Sequence, residues 1–149
     1  MSDDSARDER SKTRETWVVG LAAVLIGISI AHVLEDFVYG IPARFGFDVA
    51  PAAALVGLAY LAHAMLVGLA ARDHTVGYLG NLAAGVFWFA AAAYDHLGEV
   101  LFAEDYRAGL ISKGFEVGLM LSAIALAVSS YVAWRSRRND LNHARGVVE

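Results

Sequence analysis

The sequence contains no cysteine, only two prolines and few charged residues. Without cysteine the chain has no disulfide, no thiolate ligand for zinc or an iron–sulfur cluster, and no attachment point for a covalent c-type haem. Charged residues make up 19% of the chain and hydrophobic residues 57%, whereas a soluble domain is about 25% charged and about 45–50% apolar. This composition excludes a disordered or fibrous chain and disfavours an ordinary soluble domain, and the length of 149 residues allows one domain.

The apolar residues are concentrated in four runs that contain no Asp, Glu, Lys or Arg. The runs are Thr16–Leu34, Val49–Ala71, His74–Tyr94 and Val117–Trp134. Each run is close to the length of about 20 residues that crosses a hydrocarbon core, and in lipid such a run has to be helical to satisfy its own backbone. We therefore predict an all-α fold, an integral membrane four-helix bundle. Its helices are expected near residues 17–38, 50–71, 77–102 and 112–135.

Polar segments flank these spans and predict an orientation. Residues 1–16 and 136–149 are expected to be polar tails, and together with the 72–76 turn they contain most of the twelve basic residues. The remaining basic residues are Arg135 at the end of the last span, and Arg44, Arg107 and Lys113. Because basic segments stay on the cytoplasmic side, both tails are predicted to be cytoplasmic in a multi-pass protein of the cell membrane.

The composition also limits the partners. We expect contact with the lipid bilayer, and the net charge of −4 gives no support to nucleic-acid binding. The first span is too long for the apolar region of a cleaved signal peptide. A homo-oligomer and a larger membrane complex both remain open.

The two halves of the chain align with each other. In this alignment His32-Val-Leu-Glu35 falls on His96-Leu-Gly-Glu99, although identity elsewhere is low. One interpretation is an internal repeat of two helical hairpins related by a pseudo-two-fold axis along the membrane normal, which brings the first and third spans into equivalent positions. The alternative is a chance match between two helical segments.

Small residues recur at every fourth position of two spans. The first span has Ala23, Gly27 and Ala31, and the last has Gly114, Gly118 and Ser122. Because such spacing lets helix backbones approach closely in lipid, we predict that both rows pack inside the bundle, with an oligomer face as the alternative. Glu35 continues the four-residue spacing of the row in the first span. If that row faces the inside of the bundle, Glu35 is predicted to face it too.

Ionisable residues cluster at the span ends that lie opposite the termini. They are His32, Glu35 and Asp36 in the first span, Asp95, His96 and Glu99 in the third, and Glu116 in the fourth. Residues three or four apart share a helix face, so each histidine is expected to lie beside acidic side chains. Since several carboxylates cannot all stay ionised at close range in a low dielectric, a bound cation is one way to neutralise them.

These residue types predict a divalent-metal site, because imidazole and carboxylate together suit Zn, Fe, Cu or Mn. The expected ligands are His32, Glu35, His96, Glu99 and Glu116. Asp36, Asp95 and His63 are expected to act as outer partners that orient the ligands. The metal would serve either a membrane enzyme or metal handling. No phosphate loop, nucleophile elbow or nicotinamide fingerprint is present, so no catalytic residue can be named.

Three alternatives to the metal site remain open. Charges at span ends can simply mark the membrane interface, as in a non-enzymatic membrane subunit or a structural or interaction protein. A b-type haem between His32 and His96 is the second alternative, and a proton or cation relay is the third. For His63 a hydrogen bond inside the core, to Asn81 or Ser29, is the alternative to a role in the site.

Overall fold

The computed structural model describes residues 3–102, 107 and 109–146. Over these residues the chain forms helices and no strand. The helices are α1 (Asp3–Val38), α2 (Ile41–Arg44), α3 (Val49–Ala70), α4 (Thr75–Phe102) and α5 (Leu110–Gly146). All except the short α2 are long and apolar enough to cross a membrane, which confirms the predicted all-α four-helix membrane bundle.

The four long helices run alternately up and down. The N-terminal part of α1, the α3–α4 turn and the C-terminal part of α5 lie at one end of the bundle, called here the termini end. Helix α2 lies at the opposite end, called the α2 end. Helix α5 packs along both α1 and α4, and α3 packs mainly on α4. The core between α1, α4 and α5 contains Leu25, Tyr78, Leu119 and Leu126, all of them fully buried. Helix α3 buries the least of its apolar surface, so most of it is left for lipid.

Glycines on α4 set the close approach of its neighbours. A Cβ at Gly77 would collide with the backbone of α3 at Ala70, and a Cβ at Gly85 would lie 2.7 Å from the carbonyl oxygen of Ala123 on α5. Helix α4 therefore touches the backbones of two different helices at residues without a side chain.

The small-residue row predicted on the first span does not make such contacts. Ala23 and Gly27 are exposed, and no atom of another helix lies within 4 Å of a Cβ placed at Gly27 or Gly114. The prediction that this row faces the bundle was wrong, because α1 is apolar on all sides over this stretch and small residues alone do not mark the packed face. In the second row, a Cβ placed at Gly118 would lie 3.5 Å from Cδ1 of Ile28 on α1.

Two helices extend beyond the predicted spans at the termini end. Helix α1 begins at Asp3 and α5 continues to Gly146, so the segments expected to be polar tails continue as helix. Arg14 of α1 donates hydrogen bonds to Ser136 and Asp140 of α5. These polar contacts join the two extensions where apolar packing ends.

Candidate metal centre

Three helices each bring one buried polar side chain to the same point near the α2 end. His32 on α1, His96 on α4 and Glu116 on α5 are 4%, 1% and 0% exposed. One ligand atom from each residue lies within 4.8 Å of the other two. Because α5 packs along both α1 and α4, its Glu116 reaches the space between the two histidines.

The carboxylate of Glu116 lies between the two imidazole rings. Its Oε1 is 3.0 Å from Nδ1 of His32 and 3.3 Å from Nε2 of His96. Neither carboxylate oxygen has a hydrogen-bond partner among the described residues, and the same is true of Nδ1 of His32, because the close approach is not aligned as a hydrogen bond. A buried carboxylate without donors is costly, so this group calls for a cation or a proton.

The spacing of these atoms suits a metal ion. Nitrogen and oxygen ligands at 2.0–2.1 Å from a tetrahedral metal lie about 3.3 Å from one another. The distances from Glu116 Oε1 to the two histidine nitrogens, 3.0 and 3.3 Å, are close to that value. Two imidazoles and one carboxylate also leave a fourth position open, as catalytic zinc sites do.

Asp36 is placed to orient His32. The two residues are one turn apart on α1, and Oδ2 of Asp36 lies 3.1 Å from Nε2 of His32. Since Nδ1 of His32 faces Glu116, Nε2 is the nitrogen that carries the hydrogen and donates it in a hydrogen bond to Asp36. This is the arrangement in which an outer carboxylate fixes the orientation and tautomer of a metal-ligating histidine.

A second group that could hold a metal overlaps the first. Asp36, Asp95 and His96 each bring one ligand atom within 4.8 Å of the others. Nε2 of His96 lies 3.0 Å from Oδ2 of Asp95 and 3.7 Å from Oδ1 of Asp36. Both aspartates are partly exposed, so they lie at the border of the group and not at its centre. Two of the three expected outer partners, Asp36 and Asp95, thus lie in a group that could itself hold a metal.

Arg107, which the sequence pattern marked only as a basic residue outside the tails, lies beside both Asp36 and His96. Its guanidinium is 8% exposed and donates to Oδ1 of Asp36 at 2.6 Å. It also contacts Nδ1 of His96 at 2.8 Å. Because a guanidinium has donors and no acceptor, Nδ1 of His96 accepts in this contact. The excess of acids over bases at this end was the one signal in the sequence that pointed to such a partner.

The structure does not place Glu35 and Glu99 among the residues that could hold a metal. Glu35 belongs to neither ligand group, although it is half-buried and its Oε2 is a buried atom with no hydrogen-bond partner among the described residues. Glu99 is at the exposed rim, where its Oε2 is 3.8 Å from both Nδ1 of His96 and Nε of Arg107. Of the five predicted ligands, His32, His96 and Glu116 thus lie together in a group that could hold a metal, while Glu35 and Glu99 lie outside it, and the full five-ligand set stays a prediction.

His63 is likewise outside both groups. Its Nε2 lies 3.3 Å from Oδ1 of Asn81, and Nδ2 of Asn81 donates to the carbonyl oxygen of Gly77. These contacts join α3 to α4 nearer the termini end. The alternative of a core hydrogen bond to Asn81 describes this residue better than a role in the site.

A cavity of about 310 Å³ adjoins the centre. His32, Asp36, Asp95 and His96 form its polar end, and the remaining lining is mostly apolar. The two histidines of the three-residue group therefore border a space large enough for part of a small molecule.

Comparison with known proteins gives no relative for this chain: no family model, no curated protein and no solved structure matches it.

Proposed function

We propose that this integral membrane protein binds a divalent transition metal, such as Zn, Fe, Cu or Mn, at His32, His96 and Glu116. The observation that carries the proposal is Glu116, which is fully buried, has no hydrogen-bond partner among the described residues and faces two imidazole nitrogens. Transferring a carboxylate from water to a protein interior costs several kcal/mol, and a cation at this point offsets that cost.

We further propose that the metal serves a membrane enzyme. The open position and the cavity support this role, since a storage or structural site closes its coordination with protein ligands. When bound, a metal with an open position polarises a carbonyl group or activates a water molecule. Asp95 borders the cavity beside His96 and is placed to accept a proton from a molecule in it.

The ring geometry speaks against the haem alternative. The two histidine rings are in edge-to-face contact, with centroids 5.0 Å apart. A haem held by both histidines needs the rings on opposite faces of a flat macrocycle, and rings in contact leave no room for it.

The test is elemental analysis of the full chain after expression with added metal and purification in detergent. We expect about one metal ion per chain in the wild type and its loss in His32→Ala, His96→Ala and Glu116→Gln. His74→Ala is the matched control, because His74 is exposed in the α3–α4 turn. A wild-type protein without stoichiometric metal, or equal loss in the control, overturns the proposal.

A further inference from the structure

The cavity beside the centre is elongated along α4. Its lining reaches from His96 to Trp88, eight positions earlier, which corresponds to about 12 Å along a helix. The polar lining residues, His32, Asp36, Asp95 and His96, are at the end of the cavity nearest the α2 end of the bundle. Toward Trp88 the cavity is apolar, with Leu119 of α5 on one side, while Ile41 and Phe45 cover it at the α2 end. One end of the cavity thus suits a polar group and the rest suits a hydrocarbon chain.

One side of the cavity is open toward the lipid. The contacts between α3 and α4 run from Gly77 and Ala70 at the turn to the stacked rings of Tyr60 and Trp88, 5.6 Å apart. Beyond that stack the cavity is lined by α1, α2, α4 and α5. Ala91 and Tyr94 of α4 line it and are exposed at the same time, Tyr94 at 84%. Since none of the lining residues belongs to α3, the exposed side of the cavity is the side of α4 that carries Ala91 and Tyr94, within a helix apolar enough to cross a membrane.

We infer that this cavity binds a membrane-dissolved long-chain alcohol, which enters on the side of α4 that carries Ala91 and Tyr94 and turns its hydroxyl toward the centre. The inference deepens the proposed function, on which any reaction of the alcohol rests. The apolar lining fits the chain, and the carboxylates of Asp36 and Asp95 accept a hydrogen bond from a hydroxyl. A fatty acid would add a negative charge beside Asp95 and beside Asp36, whose own charge Arg107 already balances, so a neutral hydroxyl fits better.

Binding is tested by quenching of Trp88 in the full chain carrying Trp17→Phe and Trp134→Phe, which leaves a single tryptophan. The probe is a long-chain alcohol brominated on its chain, with the matched acid and alkane for comparison. The protein is treated with a chelator so that the result does not depend on the metal. We expect saturable quenching by the alcohol and weaker, non-saturable quenching by the alkane.

Two exposed alanines of α4 provide the variant and its control. Ala91 lines the cavity and Ala90 does not, so Ala91→Phe fills the entrance while Ala90→Phe adds the same ring outside it. We expect Ala91→Phe to weaken alcohol binding at least about tenfold, or about 1.4 kcal/mol, and Ala90→Phe to leave it unchanged. Phe45→Ala, which removes an exposed wall residue, is expected to weaken it as well.

Equal quenching in the two alanine variants, or quenching by the alcohol that does not saturate, overturns the inference. Equal saturable binding of the matched acid overturns the choice of an alcohol. The metal content of samples that have not been treated with chelator is measured separately. Metal without saturable alcohol binding contradicts only this inference, and alcohol binding without metal contradicts only the proposed metal site.

Discussion

Arg107 donates to Nδ1 of His96 at 2.8 Å, and this contact determines which nitrogen of the ring carries the proton. Since Nδ1 accepts, the proton of the neutral ring is on Nε2, the nitrogen that faces Glu116 and Asp95. A metal on Nε2 requires the proton on Nδ1, where the guanidinium cannot accept it. Arg107 and the proposed metal therefore compete at His96, and binding of the metal at Nε2 requires the guanidinium to leave Nδ1.

Removing Arg107 is expected to strengthen metal binding. Arg107→Ala eliminates the competing cation and frees Nδ1 of His96 to donate to water or to Glu99, 3.8 Å away. We expect the affinity to rise about tenfold or more, the scale on which outer partners act on metal sites. Competition with a chelator of known affinity measures it. Arg44→Ala is the control, because Arg44 is exposed and lies 3.8 Å from Glu99. A weaker site in Arg107→Ala contradicts this competition.

Asp36 is expected to support the metal through His32. In an Arg107→Ala background, where the contact between Asp36 and Arg107 no longer contributes, Asp36→Asn should weaken metal binding about 10- to 100-fold. Glu35→Gln, the neighbouring acid on α1, should change little, because Glu35 belongs to neither ligand group. The same chelator competition measures both. An equal loss with Glu35→Gln would restore Glu35 as a ligand.

The close contact of α4 with α5 is expected to tolerate no added methyl group. A Cβ at Gly85 would lie 2.7 Å from the carbonyl oxygen of Ala123 and 2.9 Å from the backbone nitrogen of Ala127. We expect Gly85→Ala to lower the free energy of unfolding in detergent by about 1–3 kcal/mol, as overpacking does. Gly98→Ala, on the same helix with nothing within 4 Å, should be neutral or slightly stabilising. Thermal unfolding of both variants decides between these outcomes.

Asp73 is expected to stabilise the termini end through its charge. It accepts hydrogen bonds from Tyr78 at 2.7 Å and from Arg137 at 3.2 Å. Asp73 has a positive φ of 49°, which asparagine also tolerates, so Asp73→Asn changes the charge and keeps the backbone. We expect a loss of about 1–2 kcal/mol in unfolding measurements. Asp48→Asn serves as the comparison, since the side chain of Asp48 makes no capping hydrogen bond to α3. No difference between the two variants would show that the charge is dispensable.

The predicted orientation can be read from single cysteines, because the chain has none of its own. Phe47 at the α2 end and Leu141 at the termini end are both exposed. If both termini are cytoplasmic, a membrane-impermeant maleimide labels Phe47→Cys on intact cells and labels Leu141→Cys only after lysis. The reverse pattern would invert the orientation.

The spans were predictable because length and hydropathy decide whether a helix crosses a membrane. The proximity of His32 to His96 could also be predicted, since the two residues occupy matching positions in the aligned halves. The internal repeat itself stays a prediction. The rotation of each helix was not predictable: α1 is apolar on all sides, so nothing separated the face of His32 from that of Glu35.

Arg107 could not be predicted as a site residue for a different reason. It precedes α5 and has a positive φ of 23°, so no helical spacing connects it to Asp36 or His96. The helical extensions at the termini end were missed because their stabilisation is polar, through residues such as Arg14 and Asp140, and hydropathy does not register it.

The stacked pair of Tyr60 and Trp88 affects how a molecule can reach the cavity. Tyr60 also donates a hydrogen bond to Ser29 at 3.1 Å, so α1, α3 and α4 are tied together directly below the cavity. In the inferred binding mode, this tie separates the opening of the cavity from the other half of the bilayer. The cavity would then take molecules from one leaflet only, so an asymmetric distribution of lipids across the membrane would change how often it is filled.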